Sequence, residues 1–116
     1  MVIDRDNTST SQYVVIWEFL IKPEAQAEFE RIYGVTGDWS ALFRQSENYR
    51  GTKLIQDLNR PERYLTLDHW TSKDEYEKFK EIHKTAYEEI DRRCESLTLH
   101  ETLIGEFEMA KSMSAK

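Results

Sequence analysis

The sequence predicts an α+β fold in which helices cover one face of an antiparallel sheet. Short segments rich in β-branched and aromatic residues alternate with amphipathic helical segments, in the order strand, two helices, two strands, helix, strand. The 116 residues suffice for one domain with its own core. Aromatic residues make up 12% of the chain and charged residues 33%, a balance typical of a globular domain rather than a disordered chain.

The first strand is predicted over residues 13–21, YVVIWEFLI. Both of its alternating sets of side chains are apolar, and only Glu18 interrupts them. A strand that is apolar on both faces has to be covered on both faces. Because the helices of so small a domain can cover only one face, we expect a second copy of the chain to cover the other and predict a homodimer.

Two short helices are predicted to follow. Pro23 is suited to the first position of a helix, where its missing N–H costs nothing, and Gly34 ends that helix. Asp38 is the predicted N-cap of the second helix. The side chains expected to turn inward from this second helix are Trp39, Leu42 and Phe43.

The second half of the chain predicts two strands, one long helix and a last strand. The strands span residues 49–58 and 63–70, and Gly51 in the first of them indicates either a bulge or a close approach of the backbone. Residues 72–75, SKDE, form a capping box that begins a helix over 73–94. The last strand follows at 97–108. The complete order, βααββαβ, is that of a ferredoxin-like fold.

Composition excludes several classes of function. The chain carries 16 basic and 22 acidic residues and a net charge of −6, which disfavours a nucleic-acid partner. A single cysteine, Cys94, excludes an internal disulfide and a cysteine-rich zinc site. No apolar run approaches the roughly 20 residues of a membrane span, so we expect a cytoplasmic protein with no membrane partner. We predict a flexible arm at 1–11, the domain at 12–108 and a flexible tail at 109–116.

No strong catalytic motif is present, and His83 is the most suggestive single residue. It lies beside the apolar stripe of the long helix, near Tyr87. A neutral imidazole beside tyrosine hydroxyls can exchange a proton with a phenolic ligand near pH 7, so His83 and Tyr87 are the catalytic candidates. The alternative is a half-buried histidine that is hydrogen-bonded and inert.

Aromatic residues and one carboxylate form a candidate ligand pocket. The predicted substrate-binding residues are Trp17, Trp39, Phe43, Asp68, Tyr76 and Phe79. The alternatives are that the aromatic residues belong to the core and that Asp68 pairs with an arginine across a subunit boundary. His69 and His100 lack accompanying carboxylates at ligand spacing, so we predict no metal site.

Four segments resemble the antibiotic biosynthesis monooxygenase (ABM) domain family. They are YVVIWEF (13–19), KP (22–23), YRGTKL (49–54) and YLTLDHWTS (64–72), and the resemblance spans about residues 12–108. It implies a dimeric α+β barrel, in which two ferredoxin-like sheets close face to face. The family includes cofactor-independent monooxygenases acting on polycyclic phenols, quinol monooxygenases and haem-degrading enzymes.

The resemblance also argues against one of these activities, the degradation of haem. The haem-degrading branch uses an Asn, a Trp and a His, and the corresponding places hold Trp17, Phe79 and Glu89 here. We therefore predict a cofactor-independent monooxygenase acting on an aromatic, phenolic or quinol-like small molecule, with no cofactor. The alternatives are a non-catalytic dimer that binds a hydrophobic ligand or serves in a stress response, and a polyketide-cyclase-like enzyme.

Overall fold

The computed structural model describes residues 12–110, which contain a four-stranded antiparallel sheet of order β2-β3-β1-β4. The interior strands are β1 (Tyr13–Ile21) and β3 (Arg63–Trp70). The edge strands are β2 (Tyr49–Gln56) and β4 (Thr98–Glu108). β1 pairs with β3 on one side and with β4 on the other. The predicted ferredoxin-like α+β fold is confirmed.

The helices follow the predicted order. A 3-10 turn over Pro23–Ala25 leads into α1 (Gln26–Tyr33), and α2 is Asp38–Phe43. Between β3 and β4 lie α3 (Lys73–Ile82) and α4 (Lys84–Cys94), and a 3-10 turn precedes β4. No helix within residues 12–110 is long and apolar enough to span a membrane.

The helices pack on one face of the sheet, here called the inner face. Alternate residues of β1 and β3 supply its buried side chains, as the alternation in the sequence predicts. Those of β1 are Tyr13, Val15, Phe19 and Ile21, and those of β3 are Tyr64, Thr66 and Trp70. Together with Phe29, Ile32 and Phe43 from the first two helices, they form the hydrophobic core.

The prediction of one continuous helix over 73–94 is wrong, because the helix breaks at His83. The backbone of His83 has φ −107° and ψ 29°, outside the helical region. Ile82, which precedes the break, is 76% exposed, whereas Phe79 is buried. The apolar stripe therefore changes direction at His83, and the break lets α3 and α4 each turn their own apolar residues toward the core.

The beginning of α3 follows the predicted capping box in part. The Ser72 hydroxyl accepts a hydrogen bond from the backbone N–H of Glu75 at 3.2 Å, as an N-cap should. The Glu75 carboxylate does not reach back to Ser72 but accepts from Asn48 Nδ2 at 3.1 Å. The start of α3 is therefore tied to the loop that precedes β2.

The predicted N-cap of α2 is off by one residue. Gly37 occupies the N-cap and Asp38 is the first helical residue. A Cβ atom at Gly37 would lie 2.3 Å from the carbonyl oxygens of Arg31 and Ile32, so only glycine fits at this close approach. The Asp38 carboxylate instead pairs with Arg93 at 3.3 Å, which joins α2 to α4.

The predicted bulge in β2 is confirmed at Gly51. The pairing of β2 with β3 shifts register between Tyr49 and Gly51, and Gly51 has φ +117°. This left-handed conformation favours glycine. The shift brings Thr52 opposite Asp68, whose side chain faces the helices.

The boundaries of the domain are only partly visible. The predicted arm at 1–11 and residues 111–116 of the predicted tail lie outside the described residues. The backbone N–H of Met109 bonds to the carbonyl of Gln12 at 2.9 Å, just beyond the pairing of Tyr13 with Glu108. The described chain therefore begins and ends on neighbouring strands.

The opposite face of the sheet, here called the outer face, carries apolar side chains without a covering layer among residues 12–110. Ile16 and Leu67 lie opposite each other on the interior strands and are half-buried. On the edge strands Ile55 is 47% and Phe107 46% exposed. The second copy of the chain expected on this face stays a prediction.

Candidate functional site

A cavity of about 250 Å³ lies between the inner face and the helices. All four strands contribute to it, as do the last residue of α1 and helices α2, α3 and α4. The lining residues are Trp17, Phe19, Tyr33, Trp39, Phe43, Thr52, Thr66, Asp68, Tyr76, Tyr87, Asp91 and Glu101. Seven of the twelve are aromatic, so the cavity is suited to a flat ligand with polar groups at defined points.

Asp68 places a carboxylate on the sheet side of this cavity. It occupies the inner face of β3 between Thr66 and Trp70, a position that an apolar residue would fill if the face served only the core. Thr52 Oγ1 donates a hydrogen bond to Asp68 Oδ1 at 2.6 Å. Burial raises the pKa of Asp68 to about 6, and the hydrogen bond from Thr52 opposes that rise. Asp68 can therefore gain or lose a proton close to neutral pH.

Hydroxyl groups of β2 hold this carboxylate in place. Thr52 donates its single proton to Asp68, so it accepts a hydrogen bond from the hydroxyl of Tyr49. The Tyr49 hydroxyl also lies 3.3 Å from Ser40 Oγ of α2. Thr52, itself held by the hydroxyl of Tyr49, thus orients the Asp68 side chain.

Two tyrosines of the α3–α4 layer supply hydroxyl groups to the cavity. Tyr76 donates a hydrogen bond to the hydroxyl of Tyr87. Burial raises the pKa of Tyr76 far above its ordinary value and that of Tyr87 to about 12. Both hydroxyls are therefore protonated at neutral pH and act as hydrogen-bond donors and acceptors, not as bases.

The aromatic walls pack against one another by their edges. The ring of Trp39 meets that of Tyr87 in a T-shaped contact with centroids 4.9 Å apart. Trp39 also lies 5.8 Å from the ring of Phe43. Such edge contacts stabilise aromatic pairs and fix the walls of a pocket.

Two further carboxylates line the cavity from α4 and β4. Asp91 lies one turn after Tyr87, and Glu101 lies opposite Phe19 on β4. Burial raises the pKa of the Asp91 carboxyl and of the Glu101 carboxyl, and for Glu101 the charge of Asp91 adds to the effect. The two carboxylates are therefore close enough to repel each other.

Six of the eight residues predicted for the site line the cavity. They are Trp17, Trp39, Phe43, Asp68, Tyr76 and Tyr87. Phe79 lies in the core at 3% exposure and is not part of the lining. His83 stacks on the ring of Phe79 with centroids 4.3 Å apart, also outside the lining. The catalytic role of His83 stays a prediction, and the cavity holds no imidazole.

Sequence reasoning did not include Thr52, Asp91 or Glu101 in the site. The four-residue spacing from Tyr87 to Asp91 places both on one helix face, which was a usable signal. Thr52 reaches the inner face only because the bulge at Gly51 changes the register of β2. Glu101 reaches its place through the pairing of β4 with β1, which contains register shifts of its own.

No group of three or more metal-ligating side chains lies together within residues 12–110. His69 pairs with Val14 and His100 with Leu20. These positions are six residues apart along β1, a separation of about 20 Å in a strand. The two histidines cannot share one ion.

Comparisons with known proteins agree with the fold. The family model described as antibiotic biosynthesis monooxygenase matches residues 12–84. No curated protein sequence matches the chain.

Several solved structures share the fold at low sequence identity. SnoaB of Streptomyces nogalater, a cofactor-independent oxygenase, is 16% identical with a TM-score of 0.68, over 86% of this chain and 94% of its own. The haem degrader MhuD of Mycobacterium tuberculosis is 19% identical with a TM-score of 0.63, over 84% of this chain and 95% of its own. A conserved protein of Methanosarcina mazei is 15% identical with a TM-score of 0.66, over 89% and 98%.

Proposed function

Since this chain belongs to the antibiotic biosynthesis monooxygenase family, we propose that it is a cofactor-independent oxygenase of a phenolic or quinol-like aromatic molecule. One observation carries the proposal: a carboxylate, that of Asp68, lines a cavity whose walls are mostly aromatic. A reaction of this kind needs a flat apolar site and a proton acceptor, because the substrate itself supplies the electrons for the reduction of dioxygen.

The cavity restricts the size of the ligand. Its volume of about 250 Å³ lies just below the usual range for small-molecule sites, which begins at roughly 300 Å³. We therefore propose a compact substrate of two or three fused rings. Its faces would pack between Trp17 on the sheet and Trp39 and Tyr87 on the helices.

Asp68 is the proposed base. Above a pH of about 6 its carboxylate is ionised and accepts a proton from the substrate, which leaves an electron-rich anion. The anion reacts with dioxygen at a ring carbon. In the complete reaction a CH₂ carbon of the keto tautomer loses two hydrogens and gains one oxygen atom, and the second oxygen atom leaves as water.

The hydroxyl of Tyr87, which accepts the hydrogen bond from Tyr76 and keeps its own proton for the ligand, is the proposed donor to the anion. Tyr76 and Tyr87 are protonated at neutral pH, and both line the cavity. A hydrogen bond to the developing oxyanion stabilises it more strongly in a site from which water is excluded. Thr52 would keep Asp68 oriented while its charge changes.

We also propose that the chain acts as a homodimer. The apolar residues of the outer face support this proposal, because neighbouring apolar side chains exposed on a sheet face are typical of an interaction surface. Size-exclusion chromatography with light scattering should give a mass of about twice 13.8 kDa at micromolar concentration. A stable monomer would contradict the dimer but not the assignment of the cavity.

Oxygen consumption tests the proposed reaction. The purified protein is incubated at pH 7 with a panel of hydroquinones, naphthols and hydroxylated tricyclic ketones, with a no-protein control for autoxidation. Asp68→Asn should reduce oxygen uptake by at least about 100-fold, the usual contribution of a general base. His83→Ala is the matched comparison, because His83 was the base predicted from sequence and lies outside the cavity lining.

The two variants distinguish Asp68 from His83 as the general base. Loss of uptake in Asp68→Asn with retention in His83→Ala supports Asp68. The reverse pattern would replace Asp68 by His83 as the base. Ligand binding without uptake by the unmodified protein, for a substrate that the cavity demonstrably holds, would favour a non-catalytic binding protein.

A further inference from the structure

The charged groups that line the cavity are all acidic. Asp68, Asp91 and Glu101 contribute three carboxylates, and no lysine, arginine or histidine is among the lining residues. They come from three different elements, β3, α4 and β4, so they converge on the cavity rather than forming a run along one surface. An aromatic site with this charge favours a positively charged ligand over a negatively charged one.

Two basic residues of α4 pair with carboxylates outside the cavity. Arg93, two residues after Asp91, pairs with Asp38 of α2 at 3.3 Å. Lys84, on the same helix, reaches Glu88 at 4.0 Å. The charged groups that act on the pKa of Asp91 are Glu95 and Glu88, both of which add to the negative charge. The carboxylates of the cavity therefore lack a basic partner among the described residues.

Asp68 provides an independent reason to expect a ligand group. Thr52 satisfies its Oδ1. Among the hydrogen bonds described for residues 12–110, none reaches its second oxygen, Oδ2, and Asp68 is half-buried and lines the cavity. This oxygen is therefore open to a ligand in the cavity that brings a donor or a positive charge.

We propose that the cavity selects an aromatic molecule that carries a protonated amine. The aromatic rings of Trp17, Trp39 and Tyr87 attract a cation through their faces, and the three carboxylates supply the matching charge. This inference rests on the proposed function, since it names the substrate class of the same site. It excludes phenolic acids as substrates, because a ligand that is already anionic before its proton passes to Asp68 would meet three carboxylates.

Binding of three naphthalene probes tests the charge preference. The probes are 2-naphthylmethylammonium, 2-naphthylmethanol and 2-naphthoate, which share one ring system and differ in charge. Isothermal titration calorimetry on the unmodified protein at pH 8, without oxygen, measures each Kd. The ammonium probe should bind at least about tenfold more tightly than the alcohol, and the carboxylate probe most weakly.

Two substitutions and a matched control locate the effect. Asp91→Asn and Glu101→Gln should each weaken binding of the ammonium probe about tenfold and leave binding of the alcohol unchanged. Glu95→Gln removes the same charge close to Asp91 and Glu101 but outside the cavity lining, and it should change the Kd by less than about threefold. Circular dichroism of each variant checks that it is folded.

The binding results test the preference for a protonated amine independently of the proposed oxygenase reaction. Equal or weaker binding of the ammonium probe relative to the alcohol would overturn it, and so would the failure of all three probes to bind. An equal loss in Glu95→Gln would show a diffuse field instead of contact with the cavity, and would also overturn it. Tight binding of the ammonium probe by a protein that consumes no oxygen with phenols or quinols, including those that carry a protonated amine, would support the inference and contradict the oxygenase.

Discussion

Two tryptophans on the helix side of the sheet end in opposite surroundings. Trp70, at the end of β3, is fully buried, and its ring lies 5.3 Å from that of Tyr76 and 5.2 Å from that of Phe79. Trp39, on α2, is only partly buried and lines the cavity. Both residues belong to one continuous layer of aromatic rings, yet Trp70 fills space in the core and Trp39 borders the cavity.

The polar residues nearby account for the difference. The rings of Phe43, Tyr76 and Phe79 surround Trp70 on its helix side and fill the space around it. The cavity that Trp39 lines also contains the carboxylates of Asp68, Asp91 and Glu101. Burial of an unpaired carboxylate against aromatic rings is costly, and these three carboxylates border the open space of the cavity instead. Aromatic content therefore marks the layer, and the acidic residues within it mark the site.

Substitution of each tryptophan tests whether the two parts of the aromatic layer are packed differently, and it should have the largest effect on stability. Trp70→Ala removes a fully buried ring and should lower the free energy of unfolding by about 4 kcal/mol. Trp39→Ala enlarges an existing cavity and should cost about half as much, while it weakens binding of the ammonium probe. Urea denaturation measures both values. Equal losses would mean that the cavity side is as tightly packed as the core.

Asp68→Asn should stabilise the protein at the expense of its activity. Folding raises the pKa of Asp68 from 3.8 to about 6, so the folded state binds more protons between these values and loses stability as pH rises through them. The Asn variant avoids this loss and should be more stable by about 3 kcal/mol at pH 8, with no gain below pH 4. Urea titrations at both pH values check this. A gain that does not depend on pH would contradict the assignment.

Thr52→Val should shift the titration of Asp68. The hydrogen bond from Thr52 lowers the pKa of Asp68, so its removal should raise that pKa by about one unit. A ¹³C NMR titration of the Asp68 carboxyl measures the change. Thr66→Val is the matched control, because Thr66 lines the same cavity but makes no hydrogen bond to Asp68 among those described. A shift in both variants would point to a change in burial instead.

Gly51→Ala should have the smallest of these effects, and a purely conformational one. A Cβ at this position would meet no atom within 4 Å, but the backbone has φ +117°. The strain should cost about 1 kcal/mol. Lys53→Ala, two residues later on β2, is a control without this backbone conformation. A Gly51→Ala variant as stable as the unmodified protein would show that the bulge can relax.

Sequence patterns predicted the strands better than the site. The bounds of β1 and β3 match residue for residue, because alternation is a property of consecutive residues. The predicted second strand extends two residues beyond Gln56, since the turn before β3 begins earlier than its polar residues indicate. The break at His83 was missed, because the spacing of apolar residues continues through it.

The acidic part of the site depended on information that a single sequence does not display. Asp68 could be predicted as a ligand-binding residue because it shares one face of β3 with Tyr64, Thr66 and Trp70. Asp91 and Glu101 look like ordinary surface charges, and only the packing of α4 over the sheet and the register of β4 bring them to the cavity. Tertiary contacts that depend on register shifts cannot be predicted from the spacing of residues in the sequence.

The pairing of β1 with β4 has a consequence for the synthesis of the protein. Tyr13 lies opposite Glu108, so the central strand gains its second neighbour from the last strand of the domain. Contacts of such large sequence separation close slowly, because the intervening chain has to be ordered first. During translation β1 has to wait until β4 has left the ribosome. Until then β1 can pair only with β3, and its other edge stays unpaired, which leaves the incomplete domain prone to association with other chains.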